Sequence, residues 1–382
     1  MILFDTLHNI ELGMNKTLPN ENLKAGIFIP TMNRVDFVIR QLRYYASVQC
    51  QHTIYIGDSS PKEESEKIEN EIKKLGNAIK AKYYYLPEFD NLQAHYHLIK
   101  EVRERYICYS GDDDYQIPDS ITKCIEFLEA NDDYSSASGY AVSFRLKQSG
   151  PYGQLKRLAD YPRQQIEENT GAERIRHFFN TYFVTHFSVN RTAGLANYWQ
   201  NGLSVRDRSF RGEIIPTSLP LISGKSKILD CLGFVRQIHD SHFLLPGEFD
   251  WVTQLDWRES YTIFEQTLSK SLAEKDKIPL EEATKIIRQS FLGYLGPRLV
   301  KEYRGHYPLK KELPFYWHLL CFIKPYVVSV LPFLKNLYRA HIKPQIKHTK
   351  EMHYEVLRTG SQYYKDFKPV MDSFTDSLPK NL

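Results

Sequence analysis

The 382-residue sequence contains few cysteines, and their spacing forms neither a zinc cluster nor a disulfide framework. The five cysteines are scattered along the chain, and no C-x-x-C pair occurs among them. Because scattered cysteines are typical of a reducing compartment, we expect a cytoplasmic location. The first residues, "MILFDTLHNIELGMNK", lack a basic n-region and place an acid inside the apolar stretch, so they do not resemble a secretory signal.

A clean apolar run of about 20 residues, as a transmembrane helix requires, is also absent from the sequence. The most apolar stretch, 314–344, is interrupted by Lys324, Pro325 and Pro332. The surrounding segment 301–350 contains ten Lys or Arg and two Glu, although the net charge of the chain is only +4. This pattern is typical of buried helices with a solvated basic rim, or of a segment lying peripherally on the inner face of a membrane. No nucleic-acid recognition motif accompanies the basic residues, so we expect no nucleic-acid partner.

Short apolar runs alternate with amphipathic stretches in the first 130 residues. The runs at 25–34, 52–60, 82–88 and 105–110 predict four strands, and helical spacing of apolar residues predicts helices between them and after Pro118. This alternation predicts the α/β class, with a mostly parallel sheet flanked by helices. The chain beyond about residue 255 is mostly helical in pattern. We therefore predict an N-terminal extension (1–23), an α/β domain (24–250) and a helical, basic C-terminal region (251–382).

Polar clusters follow three of the four predicted strands. In open parallel sheets, ligands bind outside the carboxyl ends of the strands, where the loops after neighbouring strands meet. The sequence therefore predicts one ligand site built from these loops. The clusters are Thr31, Asn33 and Arg34 after the first strand, Asp58 to Ser60 after the second, and Asp112 to Asp114 after the fourth.

The three consecutive aspartates, in "ICYSGDDDYQIP", have two interpretations. Adjacent carboxylates in a strand-to-helix loop suit a hard divalent cation, which would offset their mutual repulsion and neutralise a bound diphosphate. Alternatively, acids at this position stabilise the N-terminus of the following helix through its dipole. Asp58 likewise has two interpretations: an acceptor for a nucleobase or a ribose, or an N-cap.

Three motifs in order resemble the N-terminal half of the family 2 glycosyltransferases with the GT-A fold. They are "IFIPTMNR", "TIYIGDSS" and "ICYSGDDDYQIPDSI", and the resemblance covers residues 24–130 well and 131–245 weakly. It implies a UDP- or GDP-type nucleotide-sugar donor, a Mn²⁺ or Mg²⁺ ion, and inversion at the anomeric carbon. It also implies that residues 24–130 bind the nucleotide-sugar and that 131–250 form the acceptor side.

The resemblance assigns roles to individual residues of the three loops. Counted back from Pro118, Asp113 stands where the family has its metal-binding acid, with Asp114 beside it as a second ligand. Gly111 is a departure, because many members have an acid there, and it leaves open which two of the three aspartates bind the metal. The resemblance places the nucleotide-sugar against Thr31, Asn33, Arg34, Asp58, Ser59 and Asp112.

The resemblance also implies a general base and a further metal ligand beyond the aspartates. Glu213, before an apolar helical stretch, stands where family members supply the acid that deprotonates the acceptor hydroxyl, although the usual pair of acids is absent. It is equally typical of an acid at a helix N-terminus. His239, in "GFVRQIHDSH", stands where some relatives place a histidine on the metal, or it is a structural histidine. Arg191 and His186 either face the acceptor or are packing residues.

These features predict a metal-dependent, inverting glycosyltransferase that acts on the hydroxyl group of a saccharide or a lipid-linked acceptor. One alternative is a nucleotidyltransferase of related fold, but such enzymes usually begin with a glycine-rich loop, and "IPTMNR" has no glycine. The other alternative is a non-catalytic, saccharide-binding member of the family.

Overall fold

The first part of the described chain forms a repeated strand and helix pattern. The computed structural model describes residues 23–202, 204–240, 246–306 and 351–375. All four strands predicted for the first part are present, and so are the helices between them. Gly76 follows the second helix with a φ of +51°, a backbone conformation that glycine adopts without strain. The elements are β1 (Ala25–Thr31), α1 (Val35–Ser47), β2 (Thr53–Asp58), α2 (Lys62–Leu75), β3 (Lys80–Tyr85), α3 (Asn91–Glu101) and β4 (Tyr106–Tyr109).

The second part of the α/β region is less regular, as the sequence predicts. Its helices are α4 (Pro118–Ala130), α5 (Gly171–Asn180), α6 (Thr192–Gly202) and α7 (Ile215–Ser223), the last preceded by a π-helical turn at Phe210–Ile214. Its strands are β5 (Tyr115–Gln116), β6 (Tyr134–Leu146), β7 (Leu155–Tyr161), β8 (Val189–Arg191) and β9 (Lys225–Gln237).

All nine strands of the described residues join one mixed sheet. The order is β3-β2-β1-β4-β8-β6-β9-β5, and β7 pairs with β6. Strands β1 to β4 are parallel to one another, as predicted, whereas β8 pairs antiparallel with both β4 and β6. The register places Thr31 opposite Asp58, so the polar ends of β1 and β2 lie side by side.

Two large hydrophobic cores, accompanied by two smaller clusters, stabilise the described part of the chain. The first packs α1, α4 and the sheet against the C-terminal helices α11 (Met352–Glu355) and α12 (Tyr364–Thr375), with Phe374 stacked on Phe144 at 4.7 Å. The second joins α5 and α7 to the helices that follow the sheet, through the aromatic side chains of Phe210, Phe264 and Phe291. Those helices are α8 (Glu248–Val252), α9 (Trp257–Asp276) and α10 (Leu280–His306). Both cores cross the predicted boundary at residue 250, and the domain division stays a prediction.

Two sequence interpretations fall on parts of the chain outside the described residues. These are the N-terminal extension up to residue 22 and the apolar, basic stretch 314–344. Where the structure does describe helices, none is both long and apolar enough to cross a membrane. The four described cysteines, Cys50, Cys108, Cys124 and Cys231, are buried and free.

Candidate active site

The loops after β1 and β4 meet at the carboxyl edge of the sheet, where the sequence predicts a ligand site. The Thr31 hydroxyl donates to Asp112 Oδ2 at 2.9 Å. The Arg34 guanidinium bridges the next carboxylates, donating to Asp112 Oδ1 at 3.1 Å and to Asp113 Oδ2 at 2.9 Å. Asn33, between them, has a φ of +58°, which asparagine tolerates better than most residues. The structure therefore brings the two predicted loops into direct contact.

Asp58 lies at the end of β2, beside this contact. Its carboxylate is fully buried and accepts hydrogen bonds from the Ser60 backbone N–H at 2.8 Å and from the Tyr83 hydroxyl at 2.7 Å. The Ser59 hydroxyl is also buried and has no hydrogen-bond partner among the described residues. A buried hydroxyl without a partner is costly, so a ligand that accepts its hydrogen bond would relieve that cost.

The aspartate loop buries three carboxylates together. Asp112, Asp113 and Asp114 are only 7%, 4% and 2% exposed. Burial and the adjacent Asp113 carboxylate raise the pKa of Asp112 to about 7, and the same two causes raise the pKa of Asp114 well above its usual range. Ionising the three carboxylates together is therefore unfavourable, and a bound cation would relieve this cost.

The absence of a side chain at Gly111 has a direct steric reason. A Cβ atom at this position would lie 2.8 Å from Asp113 Oδ1 and 2.8 Å from Asp114 Oδ2. Such distances are too short for a non-bonded contact, so both carboxylates would have to move. An acid at residue 111, which many members of the resembled family have, would likewise require the Asp113 and Asp114 carboxylates to move.

Replacing Gly111 by alanine should therefore displace the two carboxylates without disturbing the core. We expect the affinity for a nucleoside diphosphate with Mn²⁺ to fall about tenfold, as for lost support of a metal ligand. Isothermal titration calorimetry measures this change, and Gly296→Ala is the control, because nothing lies within 4 Å of a Cβ there. Unchanged affinity in Gly111→Ala would show that the two carboxylates take no part in binding.

Arg236 and His239 reach the aspartate loop from β9 and the residues after it. Although burial lowers it, the pKa of Arg236 is raised overall by the Asp114 and Asp113 carboxylates. The His239 Nε2 atom lies 2.8 Å from Asp113 Oδ2, and its ring stacks on Phe37 at a centroid distance of 5.0 Å. His239 therefore contacts the predicted metal-binding aspartate.

The donor set fits a hard divalent cation by its chemistry. Mn²⁺ and Mg²⁺ prefer carboxylate oxygens, and the three aspartates supply them beside a histidine. Among the described residues, however, no group of three or more His, Cys, Asp or Glu has the arrangement of a metal site. In this structure, cationic Arg34 contacts Asp112 and Asp113 instead. Metal binding by Asp113, Asp114 and His239 stays a prediction.

Glu213 lies in the π-helical turn before α7, and such turns are frequent at functional sites. The Tyr182 hydroxyl donates to its carboxylate at 2.6 Å. Burial raises the pKa of Glu213, while the Tyr182 hydrogen bond and the charges of Arg236 and Arg298 lower it in part. A carboxylate with a raised pKa is a stronger base than an ordinary one, as general-base catalysis requires.

Several residues of this region are missed by reasoning from the sequence. Arg236 and Tyr83 are two of them, because the hydrophobic pattern of a strand does not show which of its polar residues contact a site. Arg191 and His186 both make packing contacts. Arg191 donates to the backbone carbonyls of Tyr134 and Leu128, and the His186 ring lies 5.7 Å from the Trp199 ring.

One comparison with known proteins matches a family. The family model described as glycosyl transferase family 2 matches residues 26–194, a range that includes every predicted site residue except Glu213 and His239. No curated protein sequence matches the chain.

Among solved structures, S. aureus TarS 1-349 in complex with UDP-GlcNAc is similar, with a TM-score of 0.46 and 13% identity over 76% of this chain and 76% of that one. The crystal structure of S. aureus TarS has a TM-score of 0.47 and 12% identity, over 76% of this chain and 46% of that one. Likenesses this distant carry no information about the donor or the acceptor of this chain.

Proposed function

We propose that the protein is a glycosyltransferase that uses a nucleotide-sugar donor, because residues 26–194 match the model of glycosyl transferase family 2. The acceptor in this proposal is a hydroxyl group of a saccharide or of a lipid-linked sugar, and the anomeric configuration is inverted. The main support for the proposal is the set of hydrogen bonds between the loops after β1 and β4, which lie beside the buried Asp58.

The base and ribose of the donor would lie over the ends of β1 and β2. Asp58 would accept a hydrogen bond from an N–H group of the base, because a carboxylate has lone pairs beyond the two that Ser60 and Tyr83 occupy. The Ser59 hydroxyl would donate to the ligand, while Thr31 and Asn33 line the pocket. In this arrangement, the hydrogen bond between Asp58 and the edge of the base would distinguish one nucleotide-sugar donor from another.

The diphosphate would lie over the aspartate loop. Asp113, Asp114 and His239 would hold a Mn²⁺ or Mg²⁺ ion, which neutralises the charge of the leaving nucleoside diphosphate. Arg34 and Arg236 lie beside the same carboxylates and would add positive charge next to the phosphates. Asp112, held by Thr31 and Arg34, would face the ribose side of the loop.

The transfer step requires a proton acceptor on the acceptor side. In the proposal, the acceptor oxygen bonds to the anomeric carbon as the bond from that carbon to the phosphate oxygen breaks. The proton of the acceptor hydroxyl passes to the Glu213 carboxylate, and the nucleoside diphosphate leaves with the bonding electron pair. Attack from the face opposite the leaving group inverts the anomeric carbon.

A thermal-shift panel of nucleoside diphosphates and nucleotide-sugars, with and without Mn²⁺, tests the donor class. We expect UDP or GDP to raise the unfolding temperature, and to do so more in the presence of Mn²⁺, because a ligand that binds only the folded state stabilises it. Stabilisation by nucleoside triphosphates alone would favour a nucleotidyltransferase. Equal shifts with and without Mn²⁺ would contradict the metal assignment.

A further inference from the structure

Two consecutive residues of α1, Arg40 and Gln41, place polar side chains in the interior behind the aspartate loop. Arg40 is 1% exposed and Gln41 is completely buried. Neighbouring core positions of the same helix are apolar, as in Val38 and Leu42. Arginine and glutamine are costly residues to bury, so their presence here calls for a specific reason.

The Gln41 amide is directed at the backbone of the aspartate loop. Its Nε2 atom donates to the Gly111 carbonyl at 2.9 Å and to the Asp114 carbonyl at 2.5 Å, with the Ser110 hydroxyl at 2.8 Å. Its Oε1 atom is buried without a hydrogen-bond partner among the described residues. The amide therefore keeps its donor on the loop even though its acceptor is left unsatisfied.

The Arg40 guanidinium holds the loop from the adjacent position. It donates to the Asp113 carbonyl at 2.9 Å, to Gln237 Oε1 at 2.5 Å and to the Pro151 carbonyl at 2.5 Å, all neutral oxygens. Gln237 in turn donates its backbone N–H to Asp114 Oδ1 at 3.2 Å. Arg40 thus connects the backbone of Asp113 to β9, and β9 in turn contacts the carboxylate of Asp114.

Two aromatic side chains contact Arg40 and connect it to further residues of the site. Its guanidinium lies 5.2 Å from the Phe37 ring and 4.9 Å from the Tyr115 ring. Phe37 stacks on His239, and Tyr115 directly follows Asp114. One buried cation is therefore linked to the aspartates, to the predicted histidine ligand and to β9.

We propose that Arg40 and Gln41 are positioning residues that set the placement of Asp113 and Asp114 for the diphosphate end of the donor. The proposal rests on the proposed function, since it concerns the same site. Packing alone does not explain the pair, because apolar side chains would fill the space without leaving Arg40 Nε and Gln41 Oε1 unpartnered. A displaced loop should weaken contacts to the diphosphate and leave contacts to the base at Asp58 intact.

The test compares two affinities in the same variant, measured by isothermal titration calorimetry with Mn²⁺ present. The probes are a nucleoside diphosphate and its nucleoside, UDP with uridine or GDP with guanosine, whichever pair binds the wild type. In Arg40→Met and Gln41→Met, we expect the diphosphate affinity to fall about 10- to 100-fold and the nucleoside affinity to stay within about twofold. Arg43→Met is the matched control, because Arg43 lies on the same helix and its half-exposed side chain pairs with Glu71.

The outcomes separate this proposal from the function on which it rests. If the wild type binds neither probe, the proposed function fails. If the wild type binds both and the variants lose affinity for both alike, or for neither, the positioning role is wrong. Arg40→Lys keeps the charge but not the planar fork, so it should recover part of the diphosphate affinity. Circular dichroism verifies folding, and Gln41→Met decides the question if Arg40→Met does not fold.

Discussion

Asp113→Ala should lower the turnover of nucleotide-sugar at least about 1,000-fold, because a catalytic cation supplies several kcal/mol of charge stabilisation. Asp113 contacts both Arg34 and His239 through Oδ2, so its removal also releases two neighbours from their present positions. Nucleoside diphosphate binding should lose its dependence on Mn²⁺ in this variant. Steady-state kinetics with the donor, combined with calorimetry, measures both effects.

Asp119→Ala provides the control for that variant. Asp119 is an exposed acid in the first turn of α4, five residues after Asp114, and we assign it no role in the site. Its removal should cost only a few tenths of a kcal/mol of helix stability. If Asp113→Ala turned over donor as fast as this control, with or without Mn²⁺, the metal assignment of Asp113 would be lost.

Glu213→Gln should lower kcat about 100- to 10,000-fold, the usual contribution of a general base. Glutamine keeps the shape of the side chain, and its amide oxygen still accepts from Tyr182, so the donor affinity should stay near that of the wild type. Glu259→Gln, at an exposed position in the first turn of α9, is the control. A Glu213→Gln enzyme with wild-type kcat would assign the proton transfer to another residue.

The pH dependence of kcat follows from the surroundings of Glu213. Only the deprotonated carboxylate accepts a proton, so kcat should fall as the pH decreases through its pKa, which burial raises above the ordinary value of 4.5. The Tyr182 hydroxyl stabilises the charged form and lowers that pKa, so Tyr182→Phe should move the acid limb to higher pH. A pH–rate profile with an unmoved limb would show that the limb belongs to another group.

The strands and the site loops were predictable because their signals are local. "AGIFIPT" is apolar throughout, and every residue of β1 is buried, as expected of a central parallel strand. The contact of Thr31 with Asp112 follows from the rule that the carboxyl ends of parallel strands meet at one edge. The assignment of Glu213 and His239 to the site depends on the family resemblance, since no local sequence pattern distinguishes them from structural residues.

The support of the aspartate loop could not be predicted, because it depends on distances between segments far apart in sequence. Gln41 donates to residue 114, and Arg40 contacts Gln237 from the other end of the domain. In the sequence both look like ordinary polar residues of an amphipathic helix. The reason for Gly111 also appears only when the carboxylates of Asp113 and Asp114 are seen to lie over its Cα atom.

Product analysis distinguishes glycosyl transfer from a nucleotide-sugar from nucleotidyl transfer. The wild type is incubated with UDP- and GDP-sugars and Mn²⁺, and in parallel with nucleoside triphosphates and sugar phosphates. We predict release of the nucleoside diphosphate from one donor class, abolished in Asp113→Ala. Release of pyrophosphate from a triphosphate and a sugar phosphate, with no nucleoside diphosphate formed from any nucleotide-sugar, would show that the protein is not a glycosyltransferase.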